Sequence, residues 1–237
     1  MPPRERIGAV IPCRLDSTRL RRKVLRRVRG RALLDRVLDR CREVAGLDLI
    51  VVATTDRAVD DPIADHVAAQ GVPVYRGRLD DVGKRLLGAA SAHDLDWIAR
   101  VNADSPFVDP RLLEAAIATV RAGSVDFVTN LHPRTFPYGV SVELVRTQVY
   151  ERLVELREGP EERDHPTQVL YRLADRLRVR RIHKPGPPAG HLRLTIDTPG
   201  DLERFGRMLD VMAKRGLSWE RTGYEDAVAL LQEGAVP

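Results

Sequence analysis

Five side chains suited to gripping an anion fall within a ten-residue span: Arg14, Ser17, Thr18, Arg19 and Lys23. They follow the apolar run Ile7-Gly-Ala-Val-Ile-Pro12, which breaks at Pro12. Apolar residues resume at Leu33, Leu34, Val37, Leu38, Cys41 and Val44, at helical spacing. A strand, a basic hydroxyl-bearing loop and a helix gather positive side chains, hydroxyls and loop amides where the strand ends. A nucleotide triphosphate is the anion that suits such a grip. Two carboxylates are expected at comparable strand ends. Asp104 lies in Arg100-Val-Asn-Ala-Asp-Ser-Pro106, and Asp197 closes the apolar segment 192–196. Together on one rim they suit magnesium, which takes few carboxylates, keeps waters and bridges substrate phosphates. Each also fits a plainer role, Asp104 as a turn cap before Pro106 and Asp197 as the cap of the next helix. In a chain this rich in arginine, Arg14 and Lys23 equally fit a solvated surface. Thr54-Thr-Asp56 ends the second strand and suits either a base or ribose contact or a hydroxyl-capped turn.

The elements that must position these residues alternate. Strands are expected over Ile7–Pro12, 48–54, 73–75, 96–101 and 126–129, with helices over 33–45, 60–70, 80–92 and 110–122. This alternation predicts an α/β fold with a mostly parallel sheet covered on both faces. In such sheets ligands bind at the carboxyl ends of strands. The loops 12–23, 54–61, 76–81 and 102–109 are therefore the places for a site. After residue 130 the rhythm changes. A turn-rich loop over 131–139 precedes a strand at 140–145, helices at 147–158 and 161–174, and a strand at 177–182. This span reads equally as an arm that packs on a partner subunit or as a peripheral subdomain. Lys184-Pro-Gly-Pro-Pro-Ala-Gly190 reads as a loop or lid. An apolar strand over 192–196 and a helix opened by Asp197-Thr-Pro199 follow.

The chain has 237 residues, 43% hydrophobic and 31% charged, enough for one sizeable core with room for an appended subdomain. A net charge of +5 fits a polyphosphate ligand and also nucleic acid or nothing specific. Aromatics at 5% supply a poor base-stacking platform, so nucleic acid ranks last. Cys13 and Cys41 have no metal-like spacing and no disulfide framework, which makes a reduced, cytoplasmic setting the expectation. Cys13 also suits a small packing role. His66, His93 and His183 read as surface or packed histidines, while His165 sits in the polar cluster Glu162-Arg-Asp-His-Pro-Thr167. The amino-terminal Met-Pro-Pro-Arg-Glu-Arg precedes only about six apolar residues, shorter than the core of a secretion signal. No run approaches the roughly 20 apolar residues of a membrane span.

The stretch Ile11-Pro-Cys-Arg-Leu-Asp-Ser-Thr-Arg-Leu-Arg-Arg-Lys-Val-Leu25 resembles the signature loop of CMP-sugar-activating cytidylyltransferases. These include CMP-KDO synthetases and acylneuraminate cytidylyltransferases, and the likeness is greatest to the spore-coat-polysaccharide cytidylyltransferase-like proteins. Further matches run in order. They are Val51-Val-Ala-Thr-Thr-Asp56, Val74-Tyr-Arg-Gly-Arg-Leu-Asp-Asp-Val82, Arg100-Val-Asn-Ala-Asp-Ser-Pro-Phe-Val-Asp-Pro110, Phe136-Pro-Tyr-Gly-Val-Ser-Val-Glu143, the His165 cluster and Leu192-Arg-Leu-Thr-Ile-Asp-Thr-Pro-Gly-Asp-Leu202.

The resemblance implies a three-layer GT-A-like nucleotidyltransferase fold with a mostly parallel central sheet. It implies a single domain over 1–237 with 131–182 as an inserted dimerisation arm. The implied reaction is attack of an acceptor oxygen on the α-phosphorus of CTP, with release of pyrophosphate. Arg14 and Lys23 would be catalytic. The nucleotide would also meet Pro12, Cys13, Ser17, Thr18, Thr54, Arg76, Asp81, Asn102 and Ala103. Asp104 and Asp197 would hold Mg2+, and Arg100, Tyr138, Glu143 and His165 would meet the acceptor. The implied partners are CTP, a small acceptor and a second copy of the chain, with neither nucleic acid nor membrane. The chain departs from the family pattern at Arg21-Arg22, where Pro-Gly is usual, a change that either blocks the loop's tight turn or adds phosphate grip. It departs again at Asp16, where a small residue is usual, and at Tyr138 and Ser141, where acidic residues are common. The acceptor therefore need not be a nonulosonic acid, and a phosphorylated or carboxylated metabolite also fits. A sugar transferase using a nucleotide-sugar donor on the same fold and a basic nucleic-acid-binding module are the other readings.

Overall fold

The computed structural model describes residues 4–234; residues 1–3, at the head of the segment compared with a secretion signal, lie outside it. The chain runs β1 (Ile7–Pro12), β2 (Arg27–Val28), β3 (Arg31–Ala32), α1 (Leu33–Arg42), β4 (Leu49–Thr55), α2 (Asp61–Ala68), β5 (Val74–Gly77), α3 (Val82–Ala92), β6 (Trp97–Arg100) and α4 (Pro110–Arg121). It continues through β7 (Phe127–Thr129), β8 (Glu143–Arg146), α5 (Thr147–Val154), α6 (Gly159–Asp164), α7 (Gln168–Arg172), β9 (Val179–Arg181), α8 (Pro199–Lys214) and α9 (Tyr224–Gln232). Seven strands form one sheet in the order β5-β4-β1-β6-β8-β7-β9. The β5, β4, β1 and β6 strands are parallel, β8 runs antiparallel to both its neighbours, and β9 is parallel to β7. The mostly parallel α/β sheet is thus present.

Alternation along the strands sets the layers. Ile7, Ala9 and Ile11 pack with Leu34, Val37 and Leu38 of α1, Ile63 of α2 and Leu113 and Ile117 of α4. Val10, one residue out of step, packs with Leu86 of α3, Tyr150 and Leu153 of α5 and Leu170 of α7. Period-2 strands and helices with one apolar stripe leave no other way to bury both faces. A third cluster joins α8 and α9 to Phe107, Phe136, Leu194 and Ile196. Phe107, Phe205 and Trp219 meet edge to face, with ring centroids 5.2–5.5 Å apart.

Helix starts on the site side are capped by the residues that begin them. Asp81 accepts the Lys84 N–H at 2.8 Å to open α3, and Asp109 accepts the Arg111 N–H at 2.9 Å to open α4. Thr198 and Asp201 form a reciprocal capping box at α8 with Pro199 in the first turn. Thr198, not Asp197, is therefore the cap, which leaves the Asp197 carboxylate for other work.

Several expectations are corrected. The segment 192–196 forms no strand. Its N–H groups bond to loop carbonyls instead, Leu194 to Tyr138 at 2.7 Å and Ile196 to Asp104 at 2.9 Å. The helix expected over 161–174 is broken into α6, α7 and a short 3-10 turn, because Pro166 cannot sustain it. Within the 131–182 span, β8 and β9 join the sheet, and α5 and α7 cover one of its faces.

Candidate active site

The loop after β1 is built by main-chain bonds and one buried acid. The Cys13 N–H donates to the Ala53 carbonyl at 3.2 Å, and the Arg22 N–H closes back on Leu15 at 3.1 Å. The Leu15 N–H donates to Asp60 Oδ1 at 2.7 Å. Asp60 is fully buried and also takes hydrogen bonds from the Thr55 hydroxyl and from Arg57, the latter at 2.9 Å. A carboxylate so supplied with donors is a rigid anchor. Sequence reading did not single out Asp60, because the bond that matters spans 45 residues.

Arg22 keeps the loop's tight turn. Its φ of 54° and ψ of 29° put it in the left-handed region that favours glycine. The turn is kept rather than blocked, at a strain of about 1–2 kcal/mol for a side chain there. Arg21 and Arg22 are exposed and line a depression of about 510 Å³ with Leu15, Val59 and Pro62.

Pro12, Cys13, Arg14, Ser17, Thr18, Arg19, Lys23, Asn102, Ala103 and Asp104 converge on one open pocket of about 320 Å³. This lies at the carboxyl ends of β1 and β6. Arg14 is exposed and leans on Asp16 at 3.2 Å, which Arg57 also holds at 2.7 Å. Cys13 and Cys41 are free and buried, and burial pushes both thiols up to about 12, so neither offers a thiolate at neutral pH.

Lys23 ties the pocket together. Its Nζ lies 2.8 Å from Asp104 Oδ2 and 3.2 Å from Asp197 Oδ1. Arg19 reaches the same Asp197 oxygen at 2.8 Å, and Arg193 approaches the other at 3.4 Å. Burial pushes the Asp197 carboxyl up, but Lys23 and Arg19 outweigh it and hold the group below the ordinary carboxylate value. A charged Asp197 is the result. Among the described residues no cluster of three or more His, Cys, Asp or Glu side chains forms a metal site. Asp104 and Asp197, the two carboxylates that face Lys23, are the residues that could hold a divalent ion whose shell is completed by phosphate oxygens and water.

The remaining expected residues are dispersed. Thr54 is fully buried with its hydroxyl unpartnered. Arg76 is spent on the Thr55 and Arg57 carbonyls, at 3.0 and 2.9 Å, and on Asp61 at 2.6 Å. Asp81 caps α3 and pairs with both nitrogens of Arg157, at 2.7 and 2.6 Å, in a second depression of about 480 Å³. Arg100 and Glu143 face each other across β6 and β8 at 2.5 Å, and the Tyr171 hydroxyl donates to Glu143 at 2.7 Å. Burial works against the Arg100 charge, but Glu143 prevails and holds the guanidinium above its ordinary value. Tyr138 is 40% exposed and touches the guanidinium groups of Arg134 and Arg193. His165 is exposed at the end of α6. The structure thus gathers the expected loop and metal residues and leaves the nucleoside and acceptor residues in separate settings.

The sequence model of a family described as cytidylyltransferase matches residues 9–209. The spore coat polysaccharide biosynthesis protein SpsF of Bacillus subtilis is 33% identical over 219 residues, 87% of this chain and 87% of its own. A cytidylyltransferase from Leptospira borgpetersenii superposes with a TM-score of 0.89 at 27% identity, covering 98% of this chain and 95% of its own. A CMP-2-keto-3-deoxy-manno-octonic acid synthetase solved with CTP superposes at 0.67 with 21% identity, covering 89% of this chain and 100% of its own.

Proposed function

This chain belongs to the cytidylyltransferase family, and we propose that it transfers the cytidylyl group of CTP to an acidic sugar or a small phosphorylated or carboxylated acceptor, dependent on Mg2+. The observation that carries this reading is the bridge of Lys23 between Asp104 and Asp197, beside the basic loop. Cations for a triphosphate and carboxylates for its metal share one pocket.

An acceptor oxygen attacks the α-phosphorus. The new P–O bond forms as the bond to the β-phosphate bridging oxygen breaks, and pyrophosphate leaves with that electron pair. The acceptor hydroxyl proton passes to solvent. Arg14 and Lys23 grip the triphosphate and offset the charge that builds during transfer, with the loop amides near Ser17 and Thr18 assisting. Pro12, Cys13, Asn102 and Ala103 shape the wall, while Thr54, Arg76 and Asp81 set the loops nearest the nucleoside. Asp104 and Asp197 would hold the magnesium, which would supply neutralisation of phosphate charge when bound. Catalysis of this kind is mostly positioning plus preorganised charge. Tyr138, Arg100, Glu143 and His165 are the residues assigned to the acceptor.

We read residues 1–237 as one nucleotidyltransferase domain of GT-A-like design that works as a cytoplasmic homodimer through the 131–182 span. No helix among the described residues is long and apolar enough to cross a membrane. Pyrophosphate release tests the activity. With CTP, Mg2+ and a panel of acidic sugars, sugar phosphates and hydroxy acids, at least one acceptor should release pyrophosphate from CTP and leave ATP, GTP and UTP largely intact. A folded, CTP-binding protein that releases none with any of them contradicts the transferase reading.

A further inference from the structure

Tyr138 has a setting that no role above explains. Its ring is exposed, yet the Arg134 guanidinium carbon lies 3.9 Å and that of Arg193 lies 4.8 Å from its centroid. The turn carrying it is fastened to the segment before α8. The Tyr138 N–H donates to Leu192 at 2.9 Å, Leu194 donates back at 2.7 Å, and Ala189 donates to Thr135 at 2.8 Å. Gly139 has a φ of 96°, and a Cβ there would meet the Leu194 carbonyl carbon at 2.9 Å, so the two segments touch backbone to backbone. The same segment delivers Asp197. The tyrosine and its two arginines are therefore held rigidly beside the proposed metal carboxylates.

The charges there do not balance. Arg19, Lys23 and Arg193 all draw on Asp197, and Arg193 is the most distant of them at 3.4 Å. Arg134 has no carboxylate partner among the described residues, and its Nη1 is buried without a hydrogen-bond partner. Arginine forks stacked on an aromatic face are stiffened at low entropy; with Nη1 of Arg134 buried, its Nε and Nη2 and the fork of the 55% exposed Arg193 are the donors left for a ligand. Such a pair matches the two oxygens of a carboxylate or a phosphate.

We propose that Arg134 and Arg193, braced on Tyr138, bind the anionic group of the acceptor and select acceptors that carry one. This rests on the transferase reading and adds to it the residues that choose the substrate. The anionic group is clamped while the acceptor hydroxyl reaches the α-phosphorus beside Asp197. Neutral sugars offer no anion to the unpaired Arg134 or to Arg193, which is held by Asp197 only at 3.4 Å.

The test uses the full-length protein preloaded with Mg2+ and the α,β-methylene analogue of CTP, which occupies the triphosphate grip. Calorimetric titrations then follow glycerol 3-phosphate, D-glycerate and glycerol. One or both anions should bind and glycerol should not; the phosphate and carboxylate arms tell which anion is preferred. Arg134→Gln and Arg193→Gln should each weaken the anion about tenfold or more, with the analogue's own affinity measured in parallel and kept within about threefold in Arg134→Gln. Arg134→Lys should recover little, because an ammonium lacks the fork. Tyr138→Phe should keep the binding and Tyr138→Ala should lose it. Failure of both anions to bind the loaded native protein, or equal binding by native protein and both arginine variants, overturns the proposal. Failure of the analogue itself to bind would instead sink the nucleotide reading.

Discussion

The main-chain N–H of Ile196 donates to the carbonyl of Asp104 at 2.9 Å. This single bond joins the loop after β6 to the segment before α8, two pieces of chain some ninety residues apart in sequence. It places Asp104 and the residue after Ile196, Asp197, on one pocket, where Lys23 bridges their carboxylates. The site is thus positioned by irregular backbone fastened to a rigid sheet.

Lys23 restrains two carboxylates, and in the proposed reaction it also meets the triphosphate. Lys23→Ala should lower kcat/KM for CTP by about 100-fold or more, the usual cost of one preorganised charge contact. The circular dichroism spectrum should stay native. Steady-state kinetics that match the native enzyme would refute its role.

Arg22 carries backbone strain that glycine would not. Arg22→Gly should leave stability within about 1 kcal/mol of native or raise it, because relief of strain is set against the greater freedom of glycine in the unfolded chain. Arg22→Pro cannot adopt a φ of 54° and should lose the turn, with a Tm several degrees lower. Thermal unfolding of the two variants checks both signs.

Asp60 fixes the loop from below. Asp60→Ala leaves the Leu15 N–H and Arg57 without their acceptor, at a cost of about 3 kcal/mol. For a chain of this size that is a Tm lower by roughly 6–12 °C. Affinity for CTP should fall with it, since Leu15 lies between Arg14 and Ser17.

The acid limb of stability follows from the carboxyls held low. Hydrogen bonds from Arg178 lower Asp126, and at Asp197 the neighbouring Lys23 and Arg19 outweigh burial. A carboxyl lower in the folded than in the unfolded state contributes stability that is full above the unfolded value of about 3.9. That contribution is lost as pH falls through the folded value. Tm should be nearly flat from pH 8 to about pH 5 and drop below about pH 4, with the drop reduced in Asp126→Asn. A Tm of Asp126→Asn that tracks the native protein throughout would remove Asp126 from the account.

Much of this was legible in the residues. The strand Ile7–Pro12 matches its expected bounds, and Lys23 and Asp104 fall where strand-end loops should carry them. The exceptions share a cause. The segment 192–196 looks like a strand by its apolar run, but its partners are two loops, and pairing partners are not written locally. The α9 helix was not expected; its stripe of Tyr224, Ala227 and Leu230 is short and is buried in a cluster with sequence-distant residues such as Phe107 and Phe136. Asp60 and the buried Arg40, which donates to the Val108, Trp219 and Thr222 carbonyls at 2.6–2.7 Å, likewise act over long separations. Arg134 lies outside every quoted motif and Arg193 inside one that points to Asp197, and the turn at Gly139 brings both to one tyrosine.

The central claim is that Asp104 and Asp197 hold a metal on CTP gripped by the Arg14–Lys23 loop. Thermal unfolding with each of the four nucleoside triphosphates, with and without Mg2+, tests it most directly. At a ligand concentration of about 100 Kd the native protein should gain roughly 2.7 kcal/mol, or about 5–10 °C in Tm. That gain should appear with CTP and Mg2+ together and be mostly lost in Asp104→Asn and Asp197→Asn, whose folds remain native. Equal shifts with all four nucleotides, or a CTP shift that persists undiminished in both variants, would contradict it.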